Sequence, residues 1–149
     1  MEQPGQPKVK HKSFTYRTRI KWVGGKAGML GADGRQEFRV ASPPEFRGEA
    51  GVWTPEDLFI ASVESCTMAT FIALAERTKL PVESYASNAE GLVEFGDGGY
   101  QFTRIILRPT VVVSSAEAVE PARKTLVDAH HACFVARSVK TEITLEGDV

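Results

Sequence analysis

The chain is poor in the residues that make function obvious. Its 149 residues include two cysteines and three histidines, and its net charge is −1. A near-neutral chain of pI about 6.3 offers no electrostatic footprint for a polyanion, so nucleic acid is not an expected partner. No apolar run is expected to reach the roughly 20 residues that span a bilayer, so no membrane partner is expected either. The start, MEQPGQPKVKHK, is polar and lacks the apolar centre of a secretory signal, which makes the cytoplasm the expected compartment. Internal repeats, low-complexity tracts and interdomain linkers are all missing. Two cysteines in a reducing compartment do not imply a permanent disulfide. They are either core thiols or redox-active ones.

What is present reads as one α+β domain over residues 13–149, after a tail at residues 1–12 expected to be flexible. Ser13 to Val23 alternates, with Phe14, Tyr16, Thr18, Ile20 and Trp22 on one side and Thr15, Arg17, Arg19 and Lys21 on the other. Short strands are expected around Met29–Leu30 and Glu37–Val40, which completes an N-terminal antiparallel β-unit. Thr54-Pro55-Glu56-Asp57 has the form of a helix start: a capping residue, proline in the first turn and two acids at the positive end of the dipole. That helix is predicted to reach Thr78. Its interior LFIASVESCTMATFIALA is apolar nearly all round, with Glu64 its single charge, so it should be buried on most sides. Two strands, about 84–95 and 100–113, should be joined by the GDGG turn at 96–99. A second helix is expected from Ser114–Ser115 to about His131, starting late or kinking at Pro121. After Cys133, a short connector should lead to a last strand at about 138–146.

The cysteines carry the functional question. Free cysteine is commonly a buried core residue. A reactive thiol instead needs positive charge or hydrogen-bond donors nearby. Cys66 lies too far along its helix for the dipole to help, so a cation must come from elsewhere. Arg47 and Arg39 are the candidates, because arginine keeps its charge in apolar surroundings. Glu56 is the carboxylate placed to orient such an arginine. Glu56 and Cys66 are ten positions apart, about 15 Å along a helix at ~1.5 Å per residue. They cannot meet within one straight helix. If both serve one site, Glu56 must act through a long arginine or from a second subunit, and a dimer with composite sites would also cover the apolar helix.

The segments TPEDLFIASVESC (54–66) and AHHACFVARS (129–138), in this order, resemble the OsmC/Ohr family of thiol peroxidases. The resemblance extends over nearly the whole chain from Ser13 onward. It implies an OsmC-like fold, an intertwined homodimer with two interface sites, and no cofactor. It implies that Cys66 attacks the peroxide oxygen to give a sulfenic acid, which Cys133 resolves as a disulfide. It further implies a peroxide substrate, notably organic hydroperoxides, and a dithiol reductant, of which the lipoyl type is one form. Glu56 matches the glutamate that, in the family, holds the thiolate-stabilising arginine. Arg47 falls in the pre-helix loop where the OsmC branch carries that arginine. The Ohr branch places it in the early glycine turn, where this chain has Lys26. The second-cysteine segment reads CFV, where the family usually has proline after the cysteine.

Other residues have ordinary readings beside the sharp ones. His130, His131 and Cys133 form an HHxC cluster, but a structural zinc wants four ligands and no second cluster exists. Helix-end histidines near the negative dipole end are the better reading. Trp22, Trp53 and Phe59 could line a pocket for an apolar hydroperoxide, but each is expected in the core. Glu64 needs a partner if buried, within the site or across a dimer interface. The alternative to an enzyme is a non-catalytic dimeric protein that binds a small apolar ligand between subunits.

Overall fold

The computed structural model describes residues 11–149, so most of the expected N-terminal tail lies outside the described residues. Two compact units make up the chain, one ending at Thr54 and one spanning Pro55–Val149.

The first unit is an antiparallel three-stranded sheet in the order β1 (Arg19–Gly24), β2 (Ala27–Gly31), β3 (Phe38–Ala41). The expected strand from Ser13 is cut short. Its pairing begins at Arg19, opposite Gly31, so residues 13–18 have no partner strand among the described residues and stay exposed. Trp22 and Trp53, expected in the core, are instead exposed. A 3-10 turn at Pro44–Phe46 follows and closes on Arg47. There the chain folds back tightly, and a Cβ on Gly48 would lie 1.5 Å from the Ser42 carbonyl oxygen. Only glycine fits.

The second unit packs helices on a three-stranded sheet. Helix α1 runs Pro55–Arg77. Strands β4 (Val82–Gly96) and β5 (Gly99–Val113) form a long hairpin, and β6 (Glu142–Leu145) adds parallel to β5. The hairpin turns at Asp97 and Gly98, both at positive φ (49° and 86°). That geometry matches the right-handed strand twist and is the reason for a Gly-containing pair. Helix α2 (Val119–Ala132) starts late, after a 3-10 turn at Ala116–Ala118, with Pro121 in its first turn. The segment after Cys133, expected as a connector, forms a short helix α3 (Phe134–Ser138), and β6 begins correspondingly later.

Helix α1 is long and apolar enough to cross a bilayer by length and composition, contrary to the expectation of no such run. Here it serves the core instead. Val63, Thr67, Phe71 and Ala75 recur every four residues and are its buried positions. Phe71 and Ala75 join Val111, Leu126 and Ala129 in one cluster, and Val63 joins Ile105 and Leu107 in another. Each large side chain so buried contributes roughly 1.5–3 kcal/mol. The helix is therefore buried along one stripe, not on most sides as its composition predicted. Met68 and Ala73, on other faces, are exposed in the single chain.

Candidate functional site

Cys66 sits midway along α1 and is partly exposed. Its carbonyl oxygen carries an extra hydrogen bond from the Thr70 hydroxyl at 2.8 Å. Cys133 stands at the junction of α2 and α3 and is completely buried. Its N–H closes α2 by donating to the Ala129 oxygen at 2.9 Å, and its carbonyl accepts Arg137 N–H at 3.0 Å. Its sulfur caps α3 by accepting the Ala136 N–H at 3.4 Å. The residue thus ends one helix and begins the next, which orients its side chain from both sides.

Both thiols are free, and Cys66 lies near enough to Cys133 to influence its ionisation. Burial pushes the Cys133 thiol above its ordinary range, and the neighbouring Cys66 thiol pushes the same way. The Ala136 N–H and the Thr67 hydroxyl oppose this in part. Cys133 therefore favours its protonated form and is sealed from solvent, while Cys66 is a partly exposed residue. Thr67 was not singled out from the sequence. A hydroxyl next to Cys66 on the buried stripe was its only signal.

Glu56, in the first turn of α1, has one carboxylate oxygen buried without a hydrogen-bond partner. Arg47 belongs to the first unit, where its backbone is left-handed (φ 59°) and its side chain is exposed. A non-glycine residue held there costs about 1–2 kcal/mol. The rival cations are engaged within that unit. Arg39 makes a two-point ion pair with Glu49 at 2.8 and 2.5 Å, and this bond raises the arginine and lowers the carboxyl from their ordinary values. Lys26 Nζ donates to the Phe46 oxygen at 2.5 Å. Within the described residues, no such bond engages the Arg47 side chain.

Two cavities lie within the second unit. One, of about 220 Å³, is lined by His130, His131, Arg137 and Thr141. The His130 Nδ1 atom is buried and unpartnered. Burial lowers the pKa of this imidazole, as does the adjacent His131. The other cavity, of about 250 Å³, lies between α1 and β4 and is lined by Glu64, Ser65, Met68 and Tyr85. Glu64 Oε1 is also buried and unpartnered, so its expected partner is not found among the described residues. Tyr85 is pushed up to about 12, first by burial and then by the Glu64 charge. Phe59 packs on Phe102 with ring centroids 4.7 Å apart, as expected of a core residue. No group of three or more His, Cys, Asp or Glu placed to hold a metal occurs among the described residues.

A long helix packed on a mixed sheet with a parallel last strand, together with the second helix and the helix junction at Cys133, gives an OsmC-type fold. Residues 48–147 match the OsmC-like protein family, and the chain belongs to that family. The match begins one residue after Arg47. An uncharacterized Bacillus subtilis (strain 168) protein, YmaD, is 26% identical over 110 residues, covering 72% of this chain and 73% of its own. An OsmC-like protein of unknown function from Vibrio cholerae O1 superposes with a TM-score of 0.83 at 27% identity, over 91% of this chain and 99% of that one. An organic hydroperoxide resistance protein OsmC from Legionella pneumophila shares the fold, with a TM-score of 0.72 at 22% identity, over 92% and 98%.

Proposed function

We propose that this chain is a thiol-dependent peroxidase acting on organic hydroperoxides, with Cys66 as the attacking thiol and Cys133 as the resolving one. The observation that carries the reading is the placement of a partly exposed Cys66 on α1 near a fully buried Cys133 whose ionisation it influences. Attack by Cys66 on the distal peroxide oxygen breaks the O–O bond, giving an alcohol and the Cys66 sulfenic acid. Attack by Cys133 on that sulfur expels the hydroxyl as water and leaves a disulfide. A dithiol, of which the lipoyl type is one form, then returns both cysteines to thiols. No cofactor is needed for this sequence.

In this reading Arg47 supplies the cation for the Cys66 thiolate and Glu56 orients it. The unengaged guanidinium, its strained backbone and the unpartnered Glu56 oxygen support these roles. The reading also includes a homodimer in the cytoplasm. The exposed faces of α1 and the unpaired, alternating residues 13–18, with Phe14 75% and Tyr16 84% exposed, are the surfaces a second copy would cover. Peroxide consumption is the test. Wild-type protein with cumene hydroperoxide and dihydrolipoamide should turn over, and Cys66→Ser should abolish turnover. Thiols that stay unreactive would instead favour a non-catalytic protein binding an apolar ligand.

A further inference from the structure

The buried stripe of α1 contains one polar side chain. Thr67 is 1% exposed, between Val63 and Phe71, which are fully buried. A buried hydroxyl among apolar neighbours is costly unless it is hydrogen-bonded, and valine would fill the same shape without that cost. The Thr67 hydroxyl donates to the Val63 carbonyl oxygen at 2.9 Å. One turn to either side on α1, the cluster of Val63 takes in Val135 and Ala136 and the cluster of Phe71 takes in Ala129, which places Thr67 at the level of the Cys133 junction. Its hydroxyl is accordingly one of the groups that set the ionisation of Cys133, beside the Ala136 N–H and the Cys66 thiol.

A hydroxyl has one hydrogen and two lone pairs. While its hydrogen serves Val63, Thr67 can accept a hydrogen bond from the Cys133 S–H. Once the sulfur has lost its proton, a rotation about the Cβ–Oγ1 bond turns the same hydrogen onto it. We propose that Thr67 is a positioning residue for the resolving thiol, whose hydroxyl holds the Cys133 sulfur against Cys66 and stabilises it as its proton leaves. In the step itself, the Cys133 sulfur forms a bond to the Cys66 sulfur. The Cys66 S–O bond breaks, and the departing hydroxyl takes up the Cys133 proton as water. No other reactant enters. The role rests on the two-cysteine reading above.

The test uses full-length Thr67→Val and Thr67→Ser proteins labelled with 13C at the cysteine Cβ. The NMR shift of Cys133 is followed against pH in the reduced state. Stopped flow with one equivalent of cumene hydroperoxide separates sulfenic acid formation from disulfide formation. In T67V the Cys133 titration should move to higher pH and disulfide formation should slow about tenfold or more, the size expected for one hydrogen bond to a charged group. Sulfenic acid formation should stay within about twofold. T67S, which keeps the hydroxyl, should follow the wild type in both readouts. The proposal is overturned if T67V titrates and resolves like the wild type, or if T67S is as impaired as T67V. If the wild type forms no disulfide at all, the peroxidase reading fails by itself, and the titration of the two variants still decides the Thr67 contact.

Discussion

Cys133 caps helix α3 with its own sulfur, accepting the Ala136 N–H at 3.4 Å. The thiol so takes the place that a serine or aspartate oxygen usually holds at a helix start. Cys133→Ala should therefore free an amide that Cys133→Ser keeps bonded. Hydrogen exchange at Ala136 should speed up in the alanine variant only, with a stability difference of about 0.5–2 kcal/mol between the two. Equal exchange in both variants would show that the sulfur does not cap.

The same sulfur should decide the fate of the oxidised enzyme. In the wild type, one equivalent of hydroperoxide should give a loss of two hydrogens and a crosslinked peptide containing Cys66 and Cys133. In Cys133→Ser, the Cys66 sulfenic acid should accumulate and be trapped by dimedone. Mass spectrometry under non-reducing conditions reads both. Wild-type protein that carries a sulfenic acid while Cys133 stays alkylatable would rule out the two-cysteine sequence.

Arg47 differs from the two rival candidate cations, because Arg39 is tied to Glu49 and Lys26 to the Phe46 carbonyl. Arg47→Ala should slow sulfenic acid formation at least about tenfold, the size of a lost charge contact of 1.4 kcal/mol or more. Arg39→Ala should leave that rate nearly unchanged. Arg47→Gly is the sharper variant, because glycine relieves the left-handed backbone (φ 59°) while removing the cation. It should be at least as stable as the wild type and as slow as R47A. A normal rate in both Arg47 variants would move the role elsewhere.

Much of this fold was legible from local rules. The helix start at Pro55, the Asp97-Gly98 turn and the late start of α2 each depend on neighbours in sequence, and the structure places them where those rules do. The failures have a common cause in long-range packing. The alternation of residues 13–18 signals a strand, but a strand needs a partner, and the pairing with β2 ends at Arg19. The all-round apolar character of α1 signals burial, but the clusters of the second unit bury one stripe of it. Helix α3 was missed because cysteine is not a usual cap and Phe134 shows no start signal. The two cysteines could be paired in sequence only by family resemblance. Their proximity follows from the packing of α1 against the α2–α3 junction, which periodicity does not encode.

His130 gives the molecule a pH response that is independent of its thiols. Its Nδ1 atom is buried without a partner, and its pKa is lowered from 6.5, first by burial and then by His131. A lowered pKa means that the folded chain resists a proton that the unfolded chain accepts. The resulting stability is present above pH 6.5 and is lost as the pH falls through the lower, folded value. Glu49 acts in the same direction, since its pKa is lowered from 4.5 by Arg39, but its contribution is lost only at more acidic pH. The window between about pH 5.5 and 7 therefore isolates the imidazole. Urea midpoints of the wild type should fall across this window, and those of His130→Gln should fall less. His131→Gln removes the second cause and should move the loss to slightly higher pH, because the His130 pKa then rises toward its ordinary value. A wild-type midpoint that is flat from pH 7 to 5.5, or one whose fall is untouched by H130Q, would show that the buried imidazole does not govern acid stability here.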